Sequence, residues 1–170
     1  MYKYFSSAYK FGSIAGVLSV LAFITLSFLY PDPTNLNLIF GYVITPIAIF
    51  IAIKFFKDYS NNDYLSFAEG MSVGFVTYVL ESVISLVGIW ILLIIHPDLF
   101  YQIKLSKLDV LAESKDSIIA QVGESSFDLT LESIRNMVPF DIALNDSLWK
   151  IIPGLFFTII ISIILRKNPN

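Results

Sequence analysis

Cysteine is missing altogether from this 170-residue chain, and histidine occurs once, at position 96. The first absence removes disulfides, thiol redox chemistry, thioether haem attachment and cysteine-based metal sites together. The second leaves His96 unable to build a histidine cluster alone, so no metal site and no cofactor is expected. Charge is also scarce: only 15% of residues are Asp, Glu, Lys or Arg, against about 25% in globular chains. The net charge of −3 offers no basic footprint, which excludes nucleic acid as a natural partner.

What is present is apolar. Hydrophobic residues make up 56% of the chain and mean hydropathy is +0.73, so the excess apolar surface needs lipid as its solvent. Four runs stand out, Phe11 to Tyr30, Leu36 to Phe56, Phe67 to Ile95 and Leu148 to Leu165. Each is long enough to cross about 30 Å of hydrocarbon as a helix. None alternates with period two, which rules against barrel strands. The first run is too long for a signal peptide and no small-residue cleavage site follows it, so it reads as a retained span. The fold class is therefore all-α, a polytopic four-helix transmembrane bundle forming a single domain over residues 1–170, with residues 97–147 as an amphipathic helical extracytoplasmic loop.

Punctuation supports these limits. Pro31-Asp32-Pro33 stops the first span and makes the first two an antiparallel hairpin. Lys57 to Asp63 is a polar turn, and His96-Pro97-Asp98 closes the third span. Lys3, Lys10, Lys54, Lys57, Arg166 and Lys167 lie on one side within about 26 loop residues, while Lys104, Lys107, Lys115, Arg135 and Lys150 are spread over about 58 on the other. By that density both termini are expected in the cytoplasm. The long loop holds nine of the 14 acidic residues and four of the 11 basic ones. Leu108, Leu111, Ile118 and Val122 share one helical face in it, and Phe127, Leu131, Ile134 and Val138 another. Ser125 and Asp128 have the spacing of a capping box ahead of the second face. These faces suit a cap packed on the bundle mouth, or a partner protein.

Small residues mark where spans touch, because lipid supplies no hydrophobic drive between them. Gly12, Gly16 and Ser19 form such a seam in the first span, and Gly41, Thr45, Ala48 and Ala52 in the second. Gly74 and Gly88 lie on the seam of the third, with Gly154, Thr158 and Ser162 on the fourth. The Gly12 to Gly16 spacing could equally serve a homodimer. Pro46 and Pro153 are expected to kink their helices.

Glu81 stands out, at the centre of the Phe67 to Ile95 run and hence near the bilayer midplane. A charge there costs at least about 2.5 kcal/mol, and no Lys or Arg is expected inside a span to offset it. Thr77, Tyr78 and Ser85 lie at −4, −3 and +4 from it, with Gly74 and Gly88 a turn further. The structural reading of Glu81 is a protonated carboxyl donating one interhelical hydrogen bond; the functional reading is a proton or ligand site with Thr77, Tyr78 and Ser85 beside it. Glu69, twelve residues away, is not its pair. His96 and Asp98 read as interface loop chemistry rather than as a catalytic dyad.

Gly12 to Gly16, Lys54-Phe55-Phe56-Lys57-Asp58-Tyr59, Leu65-Ser66-Phe67-Ala68-Glu69-Gly70 and His96-Pro97-Asp98 together resemble the membrane family known as domain of unknown function 4199, found mainly in Bacteroidetes bacteria. The resemblance covers nearly the whole chain. It implies a bacterial inner-membrane location and brings no assigned activity or functional residue. The leading functional expectation is then a non-enzymatic scaffold or accessory subunit of an inner-membrane assembly, with a membrane protein partner or a homodimer. The alternatives are a small transporter or ligand-binding protein around Glu81, and, last, a membrane enzyme.

Overall fold

A computed structural model describes residues 2–167, all of them helical or connecting apart from an isolated antiparallel bridge between Leu65 and Lys167. The elements are α1 (Tyr2–Leu29), α2 (Thr34–Phe55) continued by a π-helical turn (Phe56–Ser60), α3 (Phe67–Ile95), α4 (Pro97–Glu113), α5 (Lys115–Val122), α6 (Glu124–Arg135) and α7 (Pro139–Leu165). Four helices, α1, α2 with its π turn, α3 and α7, are long and apolar enough to cross a membrane. Their outward faces carry residues such as Ile14, Phe28, Val43, Phe75, Ile95, Phe156 and Ile164, all exposed, as a lipid-facing surface requires. The bundle is a ring in which α3 packs mainly on α7 and α1, and α2 packs on α7 and α1, with a closer diagonal between α2 and α3.

Local chemistry accounts for the helix ends. Ser66 and Glu69 form a capping box at the start of α3: Ser66 Oγ accepts from the Glu69 N–H at 3.3 Å and the Glu69 carboxylate accepts from the Ser66 N–H at 2.9 Å. His96 ends α3 and Pro97 opens α4 at its first turn. Asp32, between its two prolines, accepts from the Thr34 N–H at 2.9 Å and pairs with Lys107 of α4 at 2.9 Å. At the other end, where both termini lie, Leu65 and Lys167 exchange two backbone hydrogen bonds of 2.8 and 2.9 Å, and Lys167 pairs with Asp63. We call these the loop end and the terminal end.

The structure departs from the sequence reading in four places. The fourth span begins at Pro139, not at residue 148, because Asp146, Ser147 and Lys150 turn inward instead of interrupting the helix. Lys150, already within the Leu148 to Leu165 run, turns into the bundle, where no cation was expected to offset a carboxylate. The loop contains three helices rather than two, with a break at Ser114 that splits the first apolar face, and Val122 and Val138 end up exposed. Finally, α6 starts at Glu124 after Gly123, whose φ of 87° suits glycine, so Ser125 and Asp128 form no cap. Through Pro46 and Pro153, α2 and α7 continue as helices.

Two apolar clusters fill the bundle. One, at the terminal end, gathers Ala8, Ile49, Ile53, Phe56, Leu65, Val73, Tyr78 and Ile161; the other, at the loop end, gathers Phe23, Ile89, Leu93, Phe100, Ile103 and Ile142. Between them lies a layer of fully buried polar groups.

Candidate functional site

Every spanning helix contributes to that layer: Ser19 from α1, Asn37 and Thr45 from α2, Glu81, Ser82 and Ser85 from α3, and Asp146, Ser147 and Lys150 from α7. All are at least nine-tenths buried, and Glu81 has no exposed surface at all. Glu81 stands fourteen residues from each end of α3, about 21 Å along the axis at the helical rise.

The layer divides into two connected parts. In the first, Asp146 is fully engaged: Asn37 Nδ2 donates to its Oδ1 at 2.6 Å, Ser85 Oγ donates to its Oδ2 at 2.7 Å, and the Lys150 ammonium pairs with that same oxygen. Beside it, the hydroxyls of Ser82 and Ser147 lie 2.5 Å apart. In the second, Thr45 Oγ1 donates to Glu81 Oε1 at 2.8 Å, with Ser19 Oγ more distant at 3.5 Å. Glu81 Oε2 has no hydrogen-bond partner among the described residues, and neither has Asn37 Oδ1. The Lys150 stem runs past Gly41, where an added Cβ would stand 3.7 Å from its Cγ and Cε.

Charge accounting is the main chemical fact of the site. It contains two carboxyl groups and one ammonium, and the ammonium is paired with Asp146. A carboxylate left uncompensated at this depth is costly. Neutrality therefore asks for one more positive charge on Glu81, and a proton or a small cation on the free Oε2 would supply it.

The residues singled out beside Glu81 do not all meet there. Thr77 turns toward α1: its hydroxyl donates to the Val73 carbonyl at 2.9 Å and its own carbonyl would lie 2.6 Å from a Cβ on Gly12. Tyr78 belongs to the terminal-end apolar cluster, laid over Gly154 and edge-on to Phe75. Ser85 serves Asp146, not Glu81. The residues that sequence reasoning missed are Asp146, Lys150, Asn37, Ser82 and Ser147. The signal that could have found the first two is their four-residue spacing, which continues through Gly154, Thr158 and Ser162 as an i, i+4 ridge winding round the helix.

The glycines position this layer by letting helices approach. Cβ atoms on Gly12 and Gly16 would meet the backbone and side chains of α3 at 2.6 and 2.7 Å, so that pair is used inside the chain. Gly74 sits under Thr158, Gly88 under Val20 and Gly154 under Tyr78, at 2.4, 2.5 and 2.7 Å. Glu69 caps α3 and accepts from Asn61 Nδ2 at 3.1 Å. At the loop end a cleft of about 250 Å³ opens beside the Asp32–Lys107 pair, backed by Leu111, Ile118 and Ile134 of the cap. Among the described residues no group of three or more His, Asp or Glu is arranged to hold a metal.

A family model described as a protein of unknown function, DUF4199, matches residues 10–167. No curated protein matches the chain, and no solved structure does.

Proposed function

Because this chain belongs to the DUF4199 family, of unknown function, its role has to be read from its own chemistry, and we propose that it is a small non-enzymatic membrane carrier that exchanges a proton at Glu81. One observation carries the reading: a carboxyl oxygen wholly buried at mid-span, unpartnered, beside an ion pair that has already used the only ammonium in the layer. Ionisable groups are rare within spans, and those facing a bundle interior mark ion and proton pathways. Asp146 and Lys150 fix the local field, and Thr45 and Ser19 orient the carboxyl so that Oε2 is the oxygen that takes the proton.

The density of Lys and Arg at the terminal end supports an inner-membrane orientation with both termini cytoplasmic, which makes the loop end the outer mouth. In proteoliposomes with an entrapped pH-sensitive dye and an imposed potassium diffusion potential, the purified protein should pass protons above the leak of protein-free vesicles. The Glu81→Gln variant should fall to that leak while remaining folded. Flux equal in wild type and variant, or wild-type flux at the leak level, would sink the reading.

A scaffold or accessory-subunit role is the second reading, favoured by the cap. Tyr101, Leu105 and Val110 of α4 and Leu129 of α6 are exposed apolar residues outside the bundle. A membrane partner, or a second copy of the chain, retained in mild detergent and lost when Leu105 and Leu129 are changed to Ser would support it.

A further inference from the structure

The α3–α7 seam continues the polar layer toward the terminal end. Ser85 meets Asp146, Ser82 meets Ser147, Tyr78 meets Gly154, Gly74 meets Thr158 and Gly70 meets Ser162, and from Tyr78 onward each four-residue step along α3 is matched by a four-residue step along α7. On α7 the residues facing this part of the seam recur every four positions, from Gly154 through Thr158 to Ser162. Beyond Tyr78, two of them are hydroxyls that are fully buried and have no hydrogen-bond partner among the described residues, Thr158 Oγ1 and Ser162 Oγ.

Those hydroxyls are aimed at the places where α3 has no side chain. A Cβ on Gly74 would stand 2.6 Å from Thr158 Oγ1, and one on Gly70 would stand 2.6 Å from Ser162 Oγ. Serine and threonine in a membrane helix ordinarily satisfy themselves on their own backbone, as Thr77 and Ser72 do here at 2.9 and 2.8 Å. Thr158 and Ser162 do not, which leaves two unpartnered donors pressed against the α3 backbone at Gly74 and Gly70, between Glu81 and the terminal end. A buried polar group without a partner costs about 1–3 kcal/mol, so two in succession favour water that hydrogen-bonds them when the seam loosens.

We propose that Ser162 and Thr158 line the route by which protons reach Glu81 from the terminal end, with water entering as α3 and α7 part and the Tyr78 ring over Gly154 as the constriction. This rests on the assignment of proton exchange to Glu81. The step is a hand-over along water and hydroxyl groups: each oxygen accepts one proton from the terminal side and releases one toward Glu81, whose Oε2 becomes O–H, and every oxygen passed is left as it began. Thr158 lies about 6 Å from Ser162 along the helix at the helical rise, a gap that one water bridges.

The cysteine-free chain permits a direct test. Single Ser162→Cys and Thr158→Cys variants in membranes should lose their free thiol to a small charged methanethiosulfonate reagent, Ser162→Cys faster. Thiols at the core position Val73 and the lipid-facing position Ile160 should stay unreactive. Thr158→Val with Ser162→Ala, which keeps shape and removes both donors, should cut proton flux about fivefold or more. Inert thiols at both positions together with full flux in the double variant would overturn the route and leave Glu81 as the exchanging group. Faster reaction at Thr158→Cys would place access at the loop end and overturn the direction. Reactive thiols in the expected order, in a protein whose wild-type flux is at the leak level, would uphold a hydrated seam and overturn proton exchange at Glu81.

Discussion

Lys150 pairs with Asp146 one turn earlier on the same helix, and both side chains are buried inside the four-helix bundle. An ion pair at that depth is weak evidence for stability, since the desolvation of two charges roughly cancels their attraction. What it does is define the electrostatics around it. Asn37 and Ser85 complete the shell of Asp146, so that carboxylate is satisfied and Glu81 is the group left to respond.

Breaking the pair from one side should therefore be more damaging than removing both charges. Lys150→Met leaves two buried carboxyl groups with no cation, and should lower stability by about 3–5 kcal/mol. Adding Asp146→Asn, whose amide oxygen can still accept from Asn37 while its NH2 donates to the Ser85 hydroxyl, should recover a large part of that loss. Thermal unfolding in detergent of the two single variants and the double variant checks this; a double variant as unstable as the sum of the singles contradicts it.

The glycine contacts make a graded prediction. Gly74→Ala drives a methyl to 2.4 Å from Thr158, whereas Gly41→Ala meets only the flexible Lys150 stem at 3.7 Å. The first should cost about 1–3 kcal/mol by overpacking, and the second should be near neutral. Thr158→Ala combined with Gly74→Ala should regain stability, because it removes the two atoms closest to the new methyl. Unfolding midpoints of the three proteins, measured in one detergent, decide it.

At the terminal end, the hydrogen bond and charge of Lys167 hold the Asp63 carboxyl below its ordinary value of 3.8, and Asp63 in turn holds the Lys167 ammonium above 10.5. The Asp63 contribution is present above 3.8 and is lost as pH falls through the lowered value. The Lys167 contribution is present below 10.5 and is lost as pH rises through the raised one. The clasp should thus be flat with pH between those limits. Both groups are solvent-exposed, so its effect is small and fades with salt. Asp63→Asn, which tolerates the left-handed backbone at φ 64°, should remove both edges of the profile. Unfolding midpoints against pH, at low and high salt, provide the measurement.

How much was legible depended on which way a polar residue faced. The limits of α3 could be read directly, because Ser66 and His96-Pro97 bracket an apolar run broken only by Glu69 in its first turn, Glu81 and small or hydroxyl residues. The start of α7 could not, because Asp146, Ser147 and Lys150 depress hydropathy while pointing at Asn37, Ser82 and Ser85, partners remote in sequence. The stripe around Glu81 was read as one face, yet Thr77 and Tyr78 are separated by about 100° on a helix. That rotation sends Thr77 toward Gly12 and Tyr78 toward Gly154. Gly123 displaced the expected cap of α6, since only its positive φ turns the chain there.

Glu81 separates structure from function through two substitutions. Its Oε1 accepts from Thr45 at 2.8 Å, and its Oε2 is free for a proton. Glu81→Gln can keep an amide oxygen for Thr45 and retains the shape, but it cannot ionise, so the fold should survive. Glu81→Leu removes the acceptor, leaves the Thr45 hydroxyl without its partner, and should cost about 0.6 kcal/mol, the average for an interhelical hydrogen bond in a membrane. If Glu81 were only a packing group, Gln would match wild type in every assay and Leu would differ in stability alone. For an exchanging group, Gln should unfold close to the wild-type temperature and yet lack the carboxyl band that infrared difference spectra between acid and alkaline buffer show for wild type. A band that persists in Glu81→Gln would assign the titrating carboxyl to another residue, with Asp146 the first to examine by Asp146→Asn.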